Sequence, residues 1–211
     1  FRLYDFMTLK IYDTLSGEKK ELIQPKLLGI FSRPINMFVC GPTVYDYPHI
    51  GNARTFVFFD MFVKYLRSRG FNIFYLQNIT NVEDKIIQRA IDEKTTWDKV
   101  ADKYEQIFYD YNKRLGITSI DKFAKSTDFI PEVIAQVKTL IAKGHAYKIE
   151  DDPTGGAAGG WYFDLTTFPA YGKLSRRTMK QAETSVEQGT SRVDNSDQKK
   201  IRQHFQPYRT N

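Results

Sequence analysis

Residues 35–77 constrain this chain more than any other stretch. Ile35 to Cys40 reads as a short strand, and its apolar run Met37-Phe38-Val39 suits burial in a parallel sheet. Gly41 and Pro42 interrupt the strand. From Ala53 to Arg69, apolar side chains at Phe58, Met61, Phe62, Tyr65 and Leu66 form a helical stripe, and Gly70 supplies the stop. Phe71 to Gln77 then reads as a second strand. Together they make a β-α-β unit with a right-handed crossover. Such a unit points to an open α/β sheet, in which ligands bind just outside the carboxyl ends of the strands.

Further helices are expected around Val82, Ile86, Ile87, Ala90 and Ile91, and from Trp97 to Leu115 before Gly116. Another spans 131–143, begun by Pro131 and ended by Gly144. The pattern then changes. His145–Ile149 and Trp161–Leu165 read as strands joined by the Gly-rich connection Thr154–Gly160. From Gln181 the chain is polar, so residues 181–211 are expected to be a loop or disordered.

At 211 residues, with 16 Phe and 13 Tyr, the chain is large and apolar enough to bury a core. Its 31 Lys and Arg against 25 Asp and Glu give a formal charge of +6, which favours polyanionic partners without naming one. A lone cysteine excludes an internal disulfide framework and suits a reducing cytoplasm. There is no signal-peptide pattern and no apolar run long enough to cross a bilayer, so no membrane partner is expected.

The chemistry-bearing residues cluster after the first strand. Cys40-Gly41-Pro42-Thr43-Val44-Tyr45-Asp46 is followed by His49-Ile50-Gly51-Asn52, which opens the helix. A soft thiolate, a glycine turn, a histidine and a positive helix N-terminus suit a site that holds a nucleotide phosphate beside a sulfur-bearing substrate. In isolation Cys40 reads as a small buried hydrophobe and His49 as a cap or surface residue. Thr80, in Asn78-Ile79-Thr80-Asn81-Val82-Glu83-Asp84-Lys85, stands where the second strand ends; its plain reading is a helix cap.

These segments, with Trp161-Tyr162-Phe163-Asp164 and Tyr171-Gly172-Lys173-Leu174-Ser175, closely resemble the signature regions of cysteinyl-tRNA synthetases of class I. The resemblance implies the first half of a Rossmann-type catalytic domain with a parallel sheet, over 7–127. It implies part of the inserted connective domain over 128–180, followed by the tail 181–211. It further implies ATP-dependent activation of cysteine to cysteinyl-adenylate and transfer to tRNA(Cys), with ATP, Mg2+ and Zn2+ as small partners. His49 and Asn52 take the catalytic places, with Gly41 and Gly51 beside them at ATP; Gly41 and Thr80 meet the cysteine. Cys40 matches one of four zinc ligands, and a zinc–thiolate contact favours cysteine over serine because zinc prefers softer donors.

The family's other zinc ligands, its mobile lysine loop and its anticodon-binding region lie in segments not found here. The likeness runs from Met7 to about Lys200, which predicts a truncated or frame-shifted chain, inactive or weak unless a second chain completes the zinc site. Two other readings remain beside it: a non-catalytic remnant that binds nucleotide or RNA, and a related cysteine ligase acting on an amino sugar. The basic group Lys173, Arg176, Arg177 and Lys180 is either a solvated face or an RNA contact.

Overall fold

The computed structural model describes residues 9–24, 33–149 and 160–175, and the backbone of 26–27, 31–32 and 202–205. The Gly-rich connection apart from Gly160, all but four residues of the tail, and Arg176, Arg177 and Lys180 lie outside the described residues. In chain order the elements are β1 (Lys10–Asp13), β2 (Glu18–Glu21), β3 (Lys26–Leu27), β4 (Phe31–Ser32), β5 (Ile35–Val39), α1 (Ile50–Ser68) and β6 (Ile73–Ile79). There follow α2 (Asp84–Asp92), α3 (Trp97–Arg114), β7 (Lys122–Lys125), α4 (Ile130–Ala142), β8 (Ala146–Ile149), β9 (Gly160–Asp164) and β10 (Arg202–Phe205). No helix of the described residues is long and apolar enough to cross a membrane.

The chain divides into two compact units, one of residues 23–130 and one of residues 1–22 with 131–211. The first is built on a three-stranded sheet ordered β5-β6-β7, with both pairings parallel. Register is set by alternation along β6. Ile73, Tyr75, Gln77 and Ile79 are buried, whereas Phe74, Leu76 and Asn78 are only half-buried. The buried row faces a core of Phe56 from α1, Ile86 and Ala90 from α2, and Val100, Ala101, Tyr104 and Phe108 from α3. Phe108 sits among aromatic rings, edge-on to Phe56 at 5.6 Å and to Phe123 at 6.0 Å between centroids.

Both long helices of this unit stop as their glycines predict. Gly70 and Gly116 take φ of 83° and 69°, a left-handed conformation that a Cβ disfavours, and the following amides bond back to Leu66 and Asn112 carbonyls. One buried charge pins α1 to the loop before β7. Asp60, only 5% exposed, accepts from the Thr118 amide at 2.8 Å, the Ser119 amide at 2.8 Å and the Ser119 hydroxyl at 2.7 Å, while Lys64 pairs with it at 2.6 Å. Burial pushes this carboxyl upward, but the Lys64 and Ser119 hydrogen bonds outweigh it and hold the pKa below the ordinary value.

In the second unit β1 and β2 form an antiparallel hairpin, and β10-β9-β8 an antiparallel sheet. The β8 and β9 strands follow the sequence expectation closely. Within the tail, Arg202–Phe205 departs from the expected loop by adding a strand to β9. A strand at an edge is held by backbone hydrogen bonds, so a polar segment can join where it would not enter a core.

Candidate functional site at the carboxyl edge of the parallel sheet

The parallel sheet directs the ends of β5 and β6 to one edge, and the chain does not leave that edge at once. After Val39 it keeps pairing with β6: the Thr80 amide donates to the Pro42 carbonyl at 3.0 Å, and the Val44 amide donates to the Thr80 carbonyl at 3.1 Å. A parallel bridge joins Thr43 to Thr80. The Cys40–Thr43 turn is thus clamped against the first residue after β6. Cys40 itself is exposed, with a free thiol.

Gly41 is glycine for a steric reason. A Cβ built on it would lie 1.7 Å from the Asn78 carbonyl oxygen and 3.0 Å from Cγ of the buried Gln77. No side chain fits there without parting the turn from β6. The Gly41 amide donates to Asn78 Oδ1 at 2.8 Å, and Asn78 Nδ2 donates to the Thr80 hydroxyl at 3.3 Å. Gly41 and Thr80, expected together at the amino acid, are therefore joined through one side chain. Asn78 was not singled out in the sequence, where the expected strand stops at Gln77 just before it.

His49, Gly51 and Asn52 form a second group in the first turn of α1. His49 is the N-cap, in extended conformation, and its Nδ1 accepts from the Gly51 amide at 3.0 Å. The Asn52 side chain reciprocates, accepting weakly from the His49 amide at 3.4 Å. This cap starts the helix at Ile50, within the His49–Asn52 segment expected to open it and three residues ahead of the apolar-stripe segment read from Ala53. Because Nδ1 accepts, the neutral ring carries its proton on Nε2, and the residue is exposed. A Cβ on Gly51 would come within 2.7 Å of His49 Cε1, so the missing side chain makes room for the imidazole itself. The plain reading of His49 as a cap is therefore realised, and it leaves the other nitrogen free of hydrogen bonds among the described residues.

The loop between these groups is anchored to α2 and α3. Arg89 pairs with Asp46 at 3.0 Å and with Glu93 at 2.7 Å, and its guanidinium lies 4.7 Å above the Tyr104 ring. Tyr47 meets the same ring edge-on at 5.5 Å. Arg89 and Tyr104 gave no functional signal in the sequence, where they read as a surface charge and a core aromatic. Beyond Thr80, Asn81 is committed to structure: it exchanges hydrogen bonds of 2.8 and 3.1 Å with Thr127.

What the edge offers is a thiol, an exposed imidazole, a hydroxyl and the N-terminus of a nineteen-residue helix. The helix end favours anions and the thiol favours soft metals. Zinc is a poor fit to the described residues alone, among which no group of three or more His, Cys, Asp or Glu side chains stands together. Cys40 is one donor of a tetrahedral set.

A family model described as the class I (C) tRNA synthetase catalytic domain matches residues 29–210, continuing through the polar tail. The cysteine–tRNA ligase of Thermoplasma acidophilum is 43% identical over 173 residues, which is 82% of this chain and 35% of that protein. The cysteine–tRNA ligase of Haemophilus influenzae is 42% identical over 178 residues, covering 84% of this chain and 36% of the relative. The chain thus spans about a third of the length of these curated relatives. Among solved structures, Mycobacterium tuberculosis methionyl-tRNA synthetase bound by methionyl-adenylate matches with a TM-score of 0.56 at 15% identity, over 74% of this chain and 35% of that one. At that identity the likeness speaks to the fold, and it agrees with the parallel sheet and its helices. On the extent of the family match and the identity to these relatives, the chain belongs to the class I (C) tRNA synthetase catalytic-domain family.

Proposed function

We propose that this chain carries the amino-acid and nucleotide half-site of a cysteine–tRNA ligase, which activates cysteine with ATP to cysteinyl-adenylate and passes it to tRNA(Cys). The observation that carries this reading is the convergence at one sheet edge of the Cys40–Gly41 turn, Thr80 and the His49-capped helix, in a chain of this family. Gly41 and Thr80 take the cysteine. Gly41, His49, Gly51 and Asn52 take ATP, which enters with Mg2+ as part of the substrate.

Adenylation places negative charge on the phosphates as the cysteine carboxylate attacks. The α1 N-terminus supplies partial positive charge, and the His49 Nε2–H is a donor held by the cap. Asn52 keeps its amide N–H groups for the same anion, since only its oxygen is engaged by the His49 amide. Gly51 serves ATP through the His49 ring, whose place against the helix start its missing side chain allows. The positions 128–180 belong in this reading to the inserted connective domain, and the reducing cytoplasm is the natural compartment for the exposed Cys40 thiol.

Cysteine-dependent ATP–pyrophosphate exchange on the purified chain, with serine as control, tests the proposal. Exchange with cysteine and none with serine supports it. A folded chain that neither exchanges nor binds cysteine and ATP sinks it and favours a non-catalytic remnant. Transfer to an amino sugar in place of tRNA would reassign the acceptor.

A further inference from the structure

Asn78 stands at the centre of the Thr80 group, and the direction of its hydrogen bonds is fixed by chemistry. The Gly41 amide can only donate, so the Asn78 atom 2.8 Å from it is the carbonyl oxygen. The amide NH2 is then the group aimed at Thr80 Oγ1, 3.3 Å away, and an NH2 can only donate. Thr80 must therefore accept from Asn78, with its own hydroxyl hydrogen turned elsewhere. The Thr80 backbone has nothing left to give, because its amide is bound to Pro42 and its carbonyl to Val44. Its hydroxyl hydrogen is the one donor it can present.

Asn78 also lies on the half-buried row of β6 with Phe74 and Leu76, away from the core that takes Tyr75, Gln77 and Ile79. Packing does not require an asparagine there. Both the carbonyl and the side chain of Asn78 meet Gly41, across 37 residues of sequence.

We propose that Asn78 is the positioning residue of the amino-acid subsite: its one amide fixes the Cys40–Gly41 turn and, on its other side, turns the Thr80 hydroxyl hydrogen toward an acceptor on the bound amino acid. This rests on reading the edge as the place where cysteine is held. Asn78→Asp separates the two tasks, because a carboxylate still accepts from the Gly41 amide but cannot donate to Thr80. The Thr80 hydroxyl then donates to it and is withdrawn from the ligand.

The test uses the full chain as wild type, Asn78→Asp, Asn78→Ala and Thr80→Val. Amide spectra report the Gly41 proton shift and its hydrogen exchange, and exchange kinetics report the KM for cysteine and for ATP. The expected result is a Gly41 amide kept protected in Asn78→Asp and deprotected in Asn78→Ala. The KM for cysteine should rise on the order of tenfold or more in Asn78→Asp and Thr80→Val, with the KM for ATP unchanged. A cysteine KM unmoved in Asn78→Asp overturns the proposal, as does a parallel rise for both substrates, which is the mark of a merely structural residue. A Gly41 amide indifferent to Asn78→Ala overturns it from the structural side. If wild type shows the protected amide yet no response to cysteine, the failure lies in the reading of the edge as a cysteine site, and the positioning role falls with it.

Discussion

The two faces of the parallel sheet are made from the same strands and have opposite characters. On one, Tyr75, Gln77 and Ile79 are fully buried under α1, α2 and α3. On the other, Phe38 is 63% exposed, and Cys40 is exposed at the end of the same strand. Helix α1 repeats the contrast: Phe56, Val63 and Leu66 are buried while Phe58, Met61 and Tyr65 are exposed. The covered face answers to packing, where a missing methylene is felt. The open face carries Asn78 and, just past the strand ends, Cys40 and Thr80, in the parity of the pleat.

The sharpest way to break this comparison is a matched pair of truncations. Phe108→Ala, at the centre of the aromatic cluster and 1% exposed, should cost about 3–5 kcal/mol in urea denaturation. Phe38→Ser on the open face should stay within about 0.5 kcal/mol. Equal losses from the two would mean that the open face is packed in solution.

Next in size is the buried charge on the covered side. Asp60→Ala leaves the Thr118 and Ser119 amides without their acceptor and should cost about 1–3 kcal/mol. Its pH dependence has a definite sign. A carboxyl depressed in the folded state stabilises above its unfolded value, about 3.9, and that stability fades as pH falls through the lower folded value. Denaturation midpoints measured from pH 6 downward, over the acid range, should therefore drop less steeply in Asp60→Asn than in wild type; parallel curves would remove Asp60 from the account.

Gly41→Ala tests the junction between the two faces. With the Asn78 carbonyl 1.7 Å from the new Cβ, the turn must separate from β6, and the Gly41 amide should lose its exchange protection. The loss should be about 1–2 kcal/mol, as for one part-buried hydrogen bond with some strain. Unchanged protection would show that the turn can move aside without parting from the strand.

The smallest effect is expected from Gly51→Ala. Alanine gains up to about 1 kcal/mol of helix propensity over glycine, and loss of the cap costs about as much, so stability should hardly move. The His49 ring should register the change instead, by losing its single Nε2–H form in a nitrogen-detected imidazole spectrum. A ring signal identical to wild type would mean that the cap accommodates the methyl.

Most of the covered face could be read in the sequence. The existence of α1, the glycines at its end and at the end of α3, and the strands flanking α1 are all local patterns, and local patterns survive folding. The expected α1 stripe was misassigned, since Phe58, Met61 and Tyr65 are exposed. The buried face is Phe56, Asp60, Val63 and Leu66, a row interrupted by a charge that only its distant partners explain. Asp60 was invisible because its partners are backbone amides 58 and 59 residues away. Asn78 was invisible for a related reason: it fell just past the expected strand end at Gln77, and a sequence does not show what the two ends of a polar side chain touch. His49 was legible as both cap and candidate catalyst; the structure shows one nitrogen committed to the cap, and the other makes no hydrogen bond among the described residues. Arg202–Phe205 was missed because edge pairing leaves little trace in side-chain hydrophobicity.

The parallel pairing of β5, β6 and β7 also sets an order of events during folding. A hairpin can zip from its turn, but neither pairing in this sheet has a turn to start from. The Gly41–Asn78 bond closes a loop of 37 residues and the Asn81–Thr127 pair one of 46. Each must await the helix that carries the chain back, so the cost of closing the loop precedes any gain from the ladder. A ribosome making this chain therefore releases the Cys40 turn well before its anchor on β6 exists, and the exposed thiol passes through synthesis without the contacts that later define its place.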